Sequence, residues 1–488
     1  MRTAVIGAGA AGITAAYELS KAGHSVDVFE AAPVVGGLGR SFDLWGQRVD
    51  LGPHRFFSCD ARINRLWLEV IGRDYAMIDR LTRIYYRKRF FHYPLKPFDA
   101  LSNLGGWEST RCLASYATEK FRTRAASHDL SFEQWVTSRF GRRLFEVFFK
   151  TYSEKLWGIS CEDLDADFAA QRIKKLSLLE AIKNAFQIGT TQHKTLVDRF
   201  AYPKEGSGAL YTRMAAFIER KGHKVYLNSP IQRLMSDHGH VTGVELSTGE
   251  KRLYDHVVST MPLTLLVKSL SGVPDSVRAA VDGLSFRNTI LVYLEIDSKN
   301  LFPDNWIYVH SPELQTGRIT NFRNWVPELH RGSENSILAL EYWCNRDDTL
   351  WSDSHDSLAA TASAELRKTG LIGKANILRG HVERLNRCYP VYRRGYKTLV
   401  SHIAKWINGI NNLTPIGRYG SFKYNNQDHS LLMGLLAAEK INQGAKHNLW
   451  DINTDYESYQ ESAVITELGL RSEHQEELPI PTGTLQPA

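Results

Sequence analysis

Residues 2–30 read RTAVIGAGAAGITAAYELSKAGHSVDVFE. RTAVI has the length and apolar content of a short buried strand. GAGAAG follows, with Gly7, Gly9 and Gly12 in G-x-G-x-x-G spacing, and ITAAYELSKAG then carries a helix to Gly23. SVDVFE makes a second strand that closes on Glu30. Each piece has a physical task. Gly7 permits a tight turn, Gly9 lets backbone approach a pyrophosphate, and Gly12 lets helix and strand pack closely. The helix begins at Ala10 and Ala11, where free N–H groups and the positive dipole end meet phosphate oxygens. Glu30 lies where an acid accepts hydrogen bonds from an adenosine ribose. Strand, glycines, helix, strand and acid in this order predict a Rossmann-like α/β domain that binds a dinucleotide.

The remaining composition bounds the function. A chain of 488 residues holds two or three domains with sizeable cores. Its net charge of +7, from 60 Lys+Arg against 53 Asp+Glu, suits an anionic small molecule and is no footprint of nucleic-acid binding. The five cysteines form no C-x-x-C pair, which argues against a zinc or other metal site and against a disulfide framework, and suits a reducing cytoplasm. The chain opens directly into a strand rather than a leader peptide, and no apolar run of about 18 residues predicts a spanning helix.

The segment after Glu30 separates the two common dinucleotides. AAPVVGGLGRSF places Gly36, Gly37, Gly39 and Arg40 there, and GPHRFF brings Gly52, Pro53 and His54 soon after. This resembles the amine-oxidase-like flavoprotein superfamily, in which a second glycine turn and an arginine reach the pyrophosphate of FAD. The resemblance implies FAD as cofactor, held in part by Gly37, Gly39 and Arg40. A second strand–G-x-G-x-x-G–helix unit for a nicotinamide cofactor is missing from the sequence.

Further along, the chain turns helical and aromatic, as in WLEVIG, LSFEQWVTSRFGRRLFEVFFKTY and LSLLEAIKNAF, with RIYYRKRFFHYPL reading as a solvated basic hairpin. YPKEGSGALYTRMAAFIERKGHKVYLNSPIQRL returns to an α/β style, with one strand over KVYLNSPIQRL; by resemblance, the backbone near Ile231 meets adenine. NTILVYLEI, NWIYVHS and SILALEYW predict the strands of a second excursion. The expected organisation is a discontinuous FAD domain (1–80, 200–265 and 386–445), an inserted α+β substrate domain (81–199 and 266–385), and a C-terminal extension (446–488). The Pro-rich end EELPIPTGTLQPA reads as disordered.

Four signals carry the chemistry: GPHRFF with His54; YSEKLWG with Tyr152, Lys155 and Trp157; TGRITNFRNW with Arg318 and Arg323; and GRYGSFKYNNQD with Arg418, Tyr424 and Asp428. Together they resemble a narrower group of these flavoproteins, the UDP-galactopyranose mutases. That group has a G-P-H segment, a Y-T-x-K-Q-W motif, a T-R-I arginine and a G-R-L-x-x-Y-x-Y-x-D-M-D run. The resemblance implies that Trp157 and Tyr152 shape a sugar-nucleotide pocket, that Arg318 and Arg418 grip the diphosphate, that Tyr424 bonds a phosphate or sugar, and that His54 lies by the flavin. It further implies cofactor contacts at Gly52, Pro53, Gly417, Arg418, Asn426, Asp428 and Ser430.

The residue chemistry agrees with those roles. Planar guanidinium forks match phosphate oxygens bidentately. Asp428 has the side chain of an N-cap for the helix HSLLMGLLAAEKI, and Gly434 within that helix points to close approach by the cofactor or another helix. Lys155 and Arg323 read as salt-bridge or surface groups, and Tyr389 and Tyr392 as packing residues. The sequence departs from the mutase pattern in YNNQD, where Asn426 replaces an acid, and in YSEKLWG, which lacks the glutamine before tryptophan.

Two functions follow. One is a pyranose/furanose mutase-like ring contraction of a nucleoside-diphosphate sugar, with reduced flavin N5 as nucleophile and an external reductant, NAD(P)H or reduced flavin, to prime it. The other is a net oxidoreductase of the amine-oxidase or protoporphyrinogen-oxidase kind that removes hydride from a sugar, amine or porphyrinogen. A flavin-binding scaffold without turnover is a third reading, and the aromatic and arginine content of the cleft argues against it.

Overall fold

The structure is a computed structural model. It describes residues 1–95, 97–121, 130–167, 199–452, 463–467, 469–472 and 475–478. The helix expected over LSLLEAIKNAF and most of the Pro-rich end fall outside the described residues.

Two sheets organise the molecule. The first is parallel, with β1 (Arg2–Ile6) at its centre, flanked by β2 (Ser25–Phe29) and by His256–Ser259. Lys224–Tyr226 and Leu413–Pro415 complete its edges. The predicted helix α1 (Ala10–Lys21) follows β1, and Gly12 is why it sits so close. A Cβ there would lie 2.0 Å from the Gly7 carbonyl oxygen, a distance no side chain tolerates. The late helix α3 (Gln427–Gln443) packs on α1. Gly434 permits that crossing, because its Cβ would stand 2.4 Å from the Ala11 oxygen. The close approach anticipated at Gly434 is therefore helix on helix.

The second sheet has seven strands, including β3 (Arg318–Asn321), β4 (Ser336–Cys344) and β5 (Ile377–Pro390). Its strands Phe286–Ile296 and β4 pair antiparallel and are buried along almost their whole length, enclosing polar groups such as Glu295 and Glu341 among the apolar ones. Tyr293 on this sheet donates to the Asp50 carbonyl at 2.7 Å and so ties it to the segment before GPHRFF.

Two local expectations are corrected. KVYLNSPIQRL is not one strand: the chain breaks between Tyr226 and Ile231, with Asn228 at φ +49°, and the halves join different sheets. The basic hairpin forms, Thr82–Tyr86 against Arg89–His92, with Arg87 and Lys88 in its turn at positive φ. Arg83 is not simply solvated, however; it makes a two-bond pair with the buried Asp304 at 2.6 and 2.9 Å. No described helix is long and apolar enough to cross a membrane.

Candidate active site

A cleft of about 940 Å³ opens where the two sheets meet. Its inner end is built by the glycine turns. Gly7, at φ +94°, has no room for a side chain, since a Cβ would meet Thr260 Oγ1 at 2.0 Å. The second turn docks on the first: Gly36 N donates to the Ala8 carbonyl at 2.8 Å, and Gly9 bridges to Gly36. Gly39 fits over the Tyr211 ring, which a Cβ would meet at 2.5 Å. Gly7, Gly9, Ala10, Ala11, Gly37 and Gly39 line the cleft. The N-cap of α1 is Gly9, with no side-chain cap and no acid in the first turn, so its first N–H groups face the cleft unclaimed by side chains. Glu30 Oε2 accepts from Ala8 N at 2.7 Å and Oε1 from Ala32 N at 2.9 Å, which locks the carboxylate at the end of β2 with lone pairs to spare. Ile231 lines the same end. This cradle fits a dinucleotide, with the α1 terminus for its pyrophosphate and Glu30 for a ribose.

A second helix N-terminus reaches the cleft. Helix α3 begins at Gln427 with Asn426 as N-cap, so Asp428 is not the cap. It lies inside the first turn, buried, its Oδ1 2.8 Å from His429 Nδ1, where its charge still favours the dipole. The cap moves because Asn426 is the last residue with extended backbone, ψ −178°. Asn426, Asp428 and Ser430 line the cleft, as does Gly417, whose φ of +82° and 3.0 Å Cβ approach to Ala11 require glycine.

The outer part assembles residues from distant segments. Arg418 Nε donates to the Cys388 carbonyl and Nη1 to the Asn425 carbonyl, both at 2.9 Å. Its guanidinium lies 4.4 Å from the Tyr424 ring centre and 4.7 Å from that of Tyr389, and the two rings stack. Among the described residues it has no carboxylate partner, and two of its five donors are used. Arg318 differs. Both Nε and Nη2 are committed to Glu341, at 2.6 and 2.5 Å, so its charge is largely answered. The sequence signal for Arg318 carried no hint of Glu341, 23 residues on and opposite it in the β3/β4 ladder.

His54 is held with Nε2 2.9 Å from the Leu51 carbonyl. A carbonyl only accepts, so Nε2 carries the proton and Nδ1 is the free acceptor. Burial, then the charge of Arg318, lower its pKa to about 4, and the ring is neutral at physiological pH. The sequence reading missed Gln427, which joins the parts. It accepts from the Tyr211 hydroxyl at 2.6 Å and donates to the His54 carbonyl and to Ser207 Oγ, both at 3.1 Å. Glutamine at the first turn of a helix carries no distinctive pattern, so no signal would have singled it out.

Several expected residues stand elsewhere. Trp157 is fully buried, stacked on Tyr392 and edge-on to Tyr389 and Tyr424; it supports the cleft wall from behind rather than forming it. Tyr152 sits in the same second layer, stacked on His310 and edge-on to Tyr308. Their helix α2 (Thr151–Trp157) follows a π-helical turn, Glu146–Lys150, and these aromatics find partners on the seven-stranded sheet. Arg40 leaves the cleft for Glu383, at 3.4 Å, because that carboxylate lies within its reach. Gly52 underlies the Arg318–Glu341 pair, where a Cβ would meet Glu341 Oε1 at 3.0 Å, whereas Pro53 and His54 do line the cleft. Gly12 serves packing alone. Lys155 is neither paired with an acid nor at the surface: it donates to the carbonyls of Ser311, Val309 and Thr316 at 2.7, 3.3 and 3.4 Å, and burial lowers its pKa to about 8. Arg323 likewise binds backbone, including Asn335 O at 3.2 Å. Tyr389, expected only to pack, faces the cleft; Tyr392 packs, its hydroxyl accepting from Tyr424 N.

Residues 10–405 match the family model for flavin containing amine oxidoreductases. The chain belongs to that family. This flavoprotein's cofactor is FAD, and the inner cradle is shaped for such a dinucleotide. The chain is 36% identical over 89 residues to the zeta-carotene desaturase of Zea mays, a match covering 18% of this chain and only 16% of that protein. It is 23% identical over 413 residues to the zeta-carotene desaturase of Synechocystis sp., covering 76% of each. In three dimensions it resembles a reduced UDP-galactopyranose mutase, with TM-score 0.80 at 22% identity, over 91% of this chain and 96% of the other. At that identity the likeness shows the fold: an α/β FAD-binding architecture with a parallel Rossmann-like sheet.

Proposed function

We propose that this flavoprotein acts on a nucleoside-diphosphate sugar, in a mutase-like ring contraction that depends on reduced flavin. The observation that carries the reading is Arg418. It is a guanidinium fixed by two carbonyls and two tyrosine rings, with donors left over and no described carboxylate to answer its charge. A neutral hydrocarbon filling the cleft would strip that cation of water and return nothing, which is costly. A diphosphate answers it with charge-assisted bonds.

In this reading Arg418 orients the diphosphate, and the Arg318–Glu341 pair offers weaker support because its charge is mostly spent within the pair. Tyr389 and Tyr424 wall the sugar side, and neutral His54 presents Nδ1 as an acceptor for a sugar hydroxyl. Reduced flavin in such a site brings nucleophilic chemistry at an anomeric carbon, and oxidised flavin brings hydride acceptance. The partner implied is NAD(P)H or free reduced flavin as external reductant, and the setting proposed is the cytoplasm.

A second reading, net hydride removal, draws on the likeness to desaturases over 413 residues. Incubating the holoprotein with UDP-sugars, first oxidised and then reduced with dithionite, separates the two. The mutase reading expects turnover only after reduction, with a product of unchanged mass. Bleaching of oxidised flavin by substrate, with a product lighter by two hydrogens, would remove it.

A further inference from the structure

Beyond Arg318 and Arg418 the cleft holds a second cationic cluster that the proposed reaction does not use. Arg55 follows His54 and lines the outer wall with Arg80, Tyr93, Trp306 and Tyr308. Its side chain makes no hydrogen bond or ion pair to a described residue, and its Nη1 is buried without a partner. Its nearest ring, Phe57, is 5.5 Å away. Burial, then the charge of Arg80, push its pKa below the ordinary arginine value, while Tyr308, Tyr93 and the Asp428 carboxylate oppose this.

Arg55 is half-buried, and its unpartnered Nη1, cut off from solvent beside a like charge, costs free energy that the fold retains for some purpose. The turn that carries it is firmly built: Arg55 N donates to the Pro53 carbonyl at 3.2 Å, and Gln427 holds the His54 carbonyl.

We propose that Arg55, flanked by Arg80, forms an outer oxyanion subsite, so that the preferred substrate carries a second anionic group, phosphate or carboxylate, apart from its diphosphate. The identity of the first group rests on the function proposed above; the subsite itself does not. Tyr93, Trp306 and Tyr308 beside it give that group's carrier flat apolar walls.

Flavin absorbance titrations of the FAD-loaded protein provide the test, with wild type, Arg55→Gln and Arg55→Lys. The carboxylate arm compares UDP-glucuronate with UDP-glucose, which differ by one carboxylate. The phosphate arm adds inorganic phosphate to protein already saturated with UDP-glucose, read by ³¹P line broadening. In at least one arm, wild type should bind the extra anion, Arg55→Gln should lose about tenfold or more of that affinity, and Arg55→Lys should keep part of it. UDP-glucose binding should change less than twofold. If neither arm depends on Arg55, or if Arg55→Gln loses its FAD, the subsite is overturned. Should UDP-glucose fail to bind while inorganic phosphate alone still depends on Arg55, the nucleotide reading fails and the subsite stands.

Discussion

The two ends of the cleft are made differently. At the inner end, backbone does the work: three glycines of one turn, a second turn docked on it, and a helix terminus, all within residues 7–39. At the outer end, side chains do it, and they come from segments as far apart as Arg55, Arg318, Tyr389 and Arg418. Backbone sites depend on the absence of atoms, so their failure is abrupt. Side-chain sites depend on charge balance, so their failure is graded.

The largest effect is expected at the inner end. Gly12→Val would place its first side-chain atom 2.0 Å from the Gly7 oxygen. The purified variant should carry no flavin, as read by its visible spectrum; normal flavin content would break the contrast. Next is Glu341→Ala, which strands Arg318 in a buried setting. Removing one partner of such a pair costs about 3–5 kcal/mol, measurable by denaturant unfolding. A loss below about 1 kcal/mol would mean the pair is solvated. Arg418→Gln should keep FAD and weaken UDP binding by about tenfold to a hundredfold, the worth of one or two charged hydrogen bonds, in a titration.

A smaller and graded effect follows from acid. Burial lowers His54 and His256 to about 4 and His310 to about 3, so the unfolded chain binds these protons first. Their contribution to stability is complete above about pH 6.5 and is lost as pH falls towards 4. Asp50, which burial raises to about 6, has the opposite sign and offsets one of the three from pH 6 downward. Each net proton is worth about 1.4 kcal/mol per pH unit. Denaturant midpoints should fall between pH 6.5 and 4; a flat profile would contradict the buried neutral histidines. Least of all, Arg40→Gln should leave flavin content unchanged and cost under about 1 kcal/mol, since its contact with Glu383 is a partly exposed pair.

The same contrast explains what could be read from sequence. The inner end was legible because strand, turn, helix and acid are contiguous and each residue type answers a local backbone need. GRYGSFKYNNQD was legible as a return to the cofactor, since glycines beside an arginine and tyrosines before a helix are a local pattern. Its details were not: the cap falls on Asn426 rather than Asp428 because backbone conformation, not side-chain preference, sets where the helix starts. Arg318 stands out in the sequence and Glu341 does not, because a cross-strand partner leaves no trace near it. Trp157 stands one layer behind the wall its motif suggests, for an aromatic in a motif looks the same whether it faces a ligand or supports the ring that does. Arg55 and Gln427 carry ordinary side chains in ordinary positions, and only the fold gives them neighbours.

The central claim is that the outer cleft is built for an anion beside the flavin. Titrating the FAD-loaded protein with UDP-glucose, and separately with a neutral polyene in detergent, while following the flavin absorbance, tests it most directly. The expected result is a saturable shift with UDP-glucose that weakens with added salt and in Arg418→Gln, and none with the polyene. A saturable shift with the polyene alone, indifferent to Arg418, would contradict the account.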